Sequence, residues 1–163
     1  MNFSTFSQFL QKLESQPSRL AMTETLSDLF KELEKDEIKI ACYFMQGTLV
    51  PAYESLEFQL STKMIIRALG HFLPNNDNQL FEVGEVAVSE VEKMYKKNGD
   101  LGETAYVIRN TSKAYSKVSL LEVYEILTEI AFASGQGSQQ KKVEILNELL
   151  IKVDAISAKF IIR

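Results

Sequence analysis

Residues 91–109 read VEKMYKKNGDLGETAYVIR, and the four at the centre, Gly99, Asp100, Leu101 and Gly102, place two helices end to end with almost no loop. Gly99 stands where the first helix ends in a left-handed turn, a conformation that a residue without a Cβ adopts freely. Asp100 and Glu103 have the spacing of a capping box for the second helix. A helix N-terminus with a small residue in its first turn is a seat for a phosphate, because its first amide hydrogens point outward unpaired. The same residues also serve as a plain tight connection between helices, and the local sequence leaves both readings open.

Outward from this junction, composition sets the frame. The chain has 163 residues, 45% of them hydrophobic and 25% charged, which suits one globular domain able to bury a core. Its one cysteine, Cys42, cannot form an internal disulfide and lies among apolar residues, which points to a reducing compartment. No long uncharged apolar run is present for a membrane span, and Met1-Asn2-Phe3 lacks the basic start and apolar core of a signal peptide. The expected setting is therefore intracellular. The net charge of -4 is unevenly spread: residues 1–92 carry 7 Lys and Arg against 14 Asp and Glu, and residues 93–163 carry 11 against 8. The later half is the electropositive one, so the acidic total does not by itself exclude a polyanion.

Phe3, Phe6, Leu10 and Leu13 recur at helical spacing and predict a first helix over 4–14, broken by Pro17. A second helix starts near Ser18 with Met22, Leu26, Leu29, Phe30 and Leu33 on one stripe. Arg19 stands in its first turn, against the helix dipole; it either reaches an external anion or pairs with an acid such as Glu14. A third helix is expected over 36–46 with Ile38, Ala41, Cys42 and Met45 inward and Gly47 as its cap. Residues 48–60 show no period and read as an irregular connection. Ser61 caps a helix carrying Met64, Ile65, Ala68, Leu69 and Phe72, which Pro74 and residues 75–78 stop. His71, the sole histidine, has no second histidine or cysteine to share a metal with and reads as an edge residue. The apolar series Leu80, Val83, Ala87, Val91 and Met94 predicts helix over 79–97, divisible at Ser89, which with Glu92 repeats the capping-box spacing. Lys93, Lys96 and Lys97 gather on its last turn, where cations stabilise a helix end and also flank the Gly99 seat.

Beyond the polar segment 110–118, Ser119 and Glu122 open a helix with Leu120, Val123, Tyr124, Leu127 and Ala131 inside, and Ser134-Gly135-Gln136-Gly137-Ser138 ends it. Here the first junction has a counterpart: a glycine turn, then a helix N-terminus with Lys141 and Lys142 in its first turn. Four of the seven glycines, at 99, 102, 135 and 137, are spent on the two turns. Two lysines at the wrong end of a dipole imply an anion that offsets them, and paired seats suit successive phosphates of a nucleic-acid backbone. That helix runs on through Val143, Leu146, Leu150 and Val153. A last one begins near Asp154, shows Ile156, Phe160 and Ile161, and reaches Arg163 without a closing signal, so the chain is expected to be one domain of a longer protein.

Taken together, these residues resemble a known family, the N-terminal all-helical DNA-binding domain of ATP-dependent DNA ligases of the archaeal and eukaryotic replicative type. The resemblance runs the length of the chain. It rests on FLQKL at 9–13, Ser18-Arg19-Leu20 with TETLSDLF at 23–30, Pro51-Ala52-Tyr53 with Leu56-Glu57-Phe58, YKKNGDLGETA at 95–105, GSQQKKVEIL at 137–146 and SAKFIIR at 157–163. It implies a clamp component that holds the minor-groove face of nicked double-stranded DNA in replication, repair and recombination. By that resemblance Arg19 contacts a phosphate. Gly99, Asp100, Leu101, Gly102, Thr104 and Ala105 approach the backbone through amides and short side chains, and Gly137, Ser138, Lys141 and Lys142 grip the opposite strand. It further implies ATP and Mg for catalytic domains outside these residues, the ligase's own adenylation and OB domains as partners, a monomer, and a cytoplasmic or nucleoid location. One departure stands out: at Gln59-Leu60-Ser61 the family commonly has a glycine-rich turn that is absent here.

No catalytic residue is expected in the chain itself. The ligase adenylation motif Lys-x-Asp-Gly is missing, Lys97-Asn98-Gly99-Asp100 having the wrong order, and without that lysine no covalent nucleotide intermediate forms. Walker A, zinc-protease and Gly-x-Ser-x-Gly patterns are absent too. The alternative function is a helical protein-interaction module with no nucleic-acid role. The expected architecture is all-α, a single domain over 1–163 packed as an irregular multi-helix bundle of about eight to ten helices, with no fixed-period repeat.

Overall fold

A computed structural model describes residues 1–73, 84–110 and 117–163. Its described residues form nine α-helices: α1 Phe3–Ser15, α2 Arg19–Glu32, α3 Lys35–Met45, α4 Thr62–Gly70, α5 Glu85–Asn98, α6 Leu101–Arg109, α7 Leu120–Phe132, α8 Ser138–Lys152 and α9 Ala155–Ile162. Local signals set most of these bounds. Ser61 accepts the Met64 amide, Asp154 the Ser157 amide at 2.8 Å, and Ser119 with Glu122 forms a complete capping box. The expected stop at 74–78, the start of the apolar series at 79–83 and most of the polar segment, 111–116, lie outside the described residues.

The core gathers Phe3 and Phe6 of α1, Leu69 of α4, Val91 of α5, Ala105 of α6, Val123 and Ile130 of α7, Leu149 and Leu150 of α8 and Ala158 of α9. Phe3, Phe6, Phe44 and Tyr124 form a chain of ring contacts with centroids 5.7 to 6.2 Å apart. The chain start is pinned to α7: the Phe3 amide donates to Val118 and the Leu120 amide to Met1. The irregular connection after α3 is fastened at both ends, where the Tyr124 hydroxyl donates to the Leu49 carbonyl at 3.1 Å and the Lys142 ammonium to the Phe58 carbonyl at 2.9 Å. Gln59, next in line, takes φ 51°, the left-handed region that favours glycine.

Two helices differ from the periodicity reading. In α3 the N-cap is Glu34, paired with Glu37 in a capping box, and Glu37 is buried because its carboxylate also meets the Met1 amine. That rotates the stripe: Ala41 is fully buried, Ile38 is exposed and Cys42 is half-buried rather than central. Helix α5 runs unbroken through Ser89, which is exposed in mid-helix, so the second cap suggested by Ser89 and Glu92 does not form.

Candidate nucleic-acid interface

At the α5–α6 junction Gly99 has φ 73°, its amide donates to the Tyr95 carbonyl at 2.8 Å, and it is exposed with nothing crowding its Cα. Asp100 caps α6 by accepting the Glu103 amide at 2.7 Å. The expected capping box is only half formed. The Glu103 carboxylate turns away to Lys159 at 2.5 Å and Arg163 at 3.6 Å. The phosphate seat read from the sequence therefore already holds a carboxylate of the chain itself. Gly102 is buried, and a Cβ there would lie 2.6 Å from the Lys159 carbonyl oxygen, so its smallness serves the packing of α6 on α9. Thr104 and Ala105 are buried as well; the Thr104 hydroxyl donates to the Asp100 carbonyl at 2.9 Å and accepts from Asn98 at 3.3 Å. The side chains of these last two are spent on the fold, and Leu101 is half-buried. What the junction presents outward is Lys96, Lys97, Asn98 and Gly99.

Behind that surface lies an ion cluster that the sequence reading missed. The Lys159 side chain, 7% exposed, meets Glu14 at 2.7 Å and Glu103 at 2.5 Å, while Arg163 meets Glu14 and, at 3.1 Å, Asp100. Hydrogen bonding to Lys159 and Arg163 holds Glu14 below the ordinary carboxylate range despite partial burial. Burial would raise Asp100, but the Glu103 amide and Arg163 outweigh it and lower it. Burial would lower Lys159, but its bonds to Glu103 and Glu14 raise it. The one local signal was spacing: Lys159 and Arg163 are an i, i+4 pair of like charges, unfavourable unless acids stand between them.

Through Arg163 the cluster ties Glu14, at the end of α1, to Asp100, at the start of α6. Glu14, the sequence candidate for pairing with Arg19, is thus taken. Arg19 is exposed and has no ion pair among the described residues, and its neighbour Leu20 is 71% exposed. Of the two alternatives at Arg19, the internal salt bridge is not formed.

The second junction is built differently. Gly135 and Gly137 take φ 92° and 80°, and α8 begins with no side-chain cap and no acid in its first turn. The Ser138 amide donates to Gly135 and the Lys141 amide to Gly137, while the amides of Gln139 and Gln140 have no acceptor among the described residues. Unlike the α6 seat, this one is open. Lys141 is exposed, with only a 3.5 Å surface pair to Glu129. Lys142, on the next residue, is fully buried and committed to Phe58, so the two lysines do not act as a pair: one faces solvent and one holds the connection. Beside this N-terminus a groove of about 700 Å³ runs between α4, α5 and α8, lined by Arg67, His71, Glu85, Glu92, Gln139 and Gln140. Burial lowers the pKa of His71. Among the described residues no group of three or more His, Cys, Asp or Glu could hold a metal ion, and no helix is long and apolar enough to cross a membrane.

Comparison with known proteins identifies a family. The family model described as DNA ligase N terminus matches residues 2–163. The chain is 33% identical over 163 residues to a probable DNA ligase of Dictyoglomus turgidum, a match that covers all of this chain and 26% of that protein. It is 35% identical over 175 aligned positions to a DNA ligase of Sulfolobus acidocaldarius, with 100% and 27% covered, and 31% identical to a probable DNA ligase of Aquifex aeolicus, with 100% and 26% covered. The chain thus spans about a quarter of the length of the curated relatives it matches.

Proposed function

The chain belongs to the DNA ligase N terminus family, and from that membership we propose that it is the clamp domain of an ATP-dependent DNA ligase serving replication, repair and recombination. It binds nicked duplex DNA without regard to sequence, along the minor-groove face and phosphate backbone. Adenylation and the use of ATP and Mg belong to the ligase's adenylation and OB domains, with which this domain acts as a monomer inside the cell. The observation that carries the reading is the start of α8: a left-handed glycine, two unpaired amides and an exposed lysine, with no carboxylate in the first turn to compete. A phosphate satisfies all of these at once, whatever base it carries, which is why the contact gives register and not sequence. Arg19 and the edge formed by Lys96, Lys97 and Gly99 take further phosphates in the same way. Asp100, Leu101, Gly102, Thr104, Ala105 and Lys142 support the contact by holding the turns in shape, and Ser138 and Gly137 meet the strand directly.

The test is affinity for nicked duplex across a salt series, repeated with Lys141→Glu and with Arg19→Glu. Each lost phosphate contact is expected to shrink the log–log slope by about 0.9. Binding that is independent of salt, or absent even at low salt, would favour a protein-interaction module instead.

A further inference from the structure

The Gly99 turn carries a difficulty for any polyanion: the acids Asp100, Glu103 and Glu14 converge immediately behind it. We infer that Lys159 and Arg163 are positioning residues for DNA at this turn, offsetting most of the charge of those three carboxylates and tying the end of α1 to the start of α6. The inference rests on the proposed DNA-binding reading and extends it to residues that do not themselves touch DNA. Three observations support it. The carboxylates outnumber the cluster's cations by one, and the exposed Lys96 and Lys97 on the same edge turn the local balance positive only while Lys159 and Arg163 are in place. Arg163 is one-third exposed and lies against Asp100, the acid nearest Gly99, so its charge is felt where a phosphate would approach. Finally, the ion cluster adds little stability to the helix junction, since the side chains of Glu14, Asp100, Glu103 and Arg163 are 34–40% exposed and ion pairs open to solvent are worth little. Its more particular product is geometry, because one cation pair joins the end of α1, the start of α6 and the end of α9.

The test removes the cation and then the acid it offsets. Arg163→Met is expected to weaken binding of nicked duplex by about three- to tenfold at moderate salt, the effect of one uncompensated charge a few ångströms from a phosphate in a mostly aqueous medium. Adding Asp100→Asn, which keeps an N-cap but removes the charge, is expected to bring affinity back to within about twofold of the parent. Asp100→Asn alone should bind about two- to threefold tighter than the parent, which keeps the inference testable if Arg163→Met does not fold. Arg163→Lys, which keeps the charge, should retain most of the affinity. A folded Arg163→Met protein that binds like the parent overturns the inference. So does a loss that follows the fall in melting temperature and is not restored by Asp100→Asn, because that is a purely structural role. Failure of the unaltered protein to bind nicked duplex at low salt is a different outcome: it overturns the binding reading itself, and this inference with it.

Discussion

Replacing Gly102 by alanine separates packing from exposure at the central junction. In an unobstructed helix this change is favourable by about 1 kcal/mol, because alanine loses less backbone freedom on folding. Here a Cβ would fall 2.6 Å from the Lys159 carbonyl oxygen, 3.0 Å from an Asp100 carboxylate oxygen and 3.2 Å from the Arg163 Cβ. Real Cβ contacts essentially never come below 3.0 Å, so α9 would have to withdraw by at least 0.4 Å, and the first obstacle is backbone that cannot rotate aside. Helix α9 also carries Lys159 and Arg163, so any retreat stretches the ion cluster along with the helix contact. Overpacking of this kind costs about 1–3 kcal/mol, so against the helix-propensity gain the net loss reaches about 2 kcal/mol. For a domain of this size that lowers the melting temperature by up to roughly 8 °C. Thermal melts by circular dichroism, with urea titration as a second measure, give the answer. A Gly102→Ala protein more stable than the parent would refute the close approach of α6 and α9, and would return Gly102 to the exposed role the sequence suggested.

The two neighbouring lysines of α8 should behave oppositely: Lys142→Glu places an unpaired buried carboxylate against the Phe58 carbonyl and should cost about 3–5 kcal/mol, whereas Lys141→Glu should stay within about 1 kcal/mol of the parent by urea unfolding. Gln59→Gly relieves a left-handed residue and should raise the urea midpoint by an amount equivalent to about 0.5–1 kcal/mol; an unchanged or lower midpoint would mean the φ of 51° carries no strain. Glu14 and Asp100 have folded-state pKa values below their unfolded ones, so their contribution is complete above the unfolded carboxylate range, about pH 4, and disappears as pH falls through the lower folded values. Lys159 is raised, so its contribution holds below about pH 10 and is lost above its folded value. Glu14→Gln should therefore flatten the acid limb of a stability-against-pH curve, and an identical limb in the variant would contradict the assignment.

Much of the fold could be read from neighbours in sequence. Caps at Ser61, Asp100, Ser119 and Asp154 and the left-handed turns at Gly99 and Gly137 depend on contacts within four residues, and the helices they bound follow. The helical stripes of α1 and α7 were legible for the same reason: a 3.6-residue period places apolar side chains on one face regardless of what covers them. The membership implied by the scattered motifs was likewise a property of the sequence alone, and the family match over residues 2–163 bears it out.

Tertiary structure decided how the individual residues are used. Nothing near Lys142 in sequence says that it differs from Lys141; the partner that draws it inward, Phe58, is 84 positions away. Glu14 and Lys159 lie 145 positions apart, so their pairing, and with it the freeing of Arg19, has no local signature. Gly102 looks like an opening for a ligand until α9 arrives from the far end of the chain to fill it. Backbone conformation responds to forces that act over a few residues, whereas burial and charge pairing are settled by whichever distant segment comes to rest against a side chain.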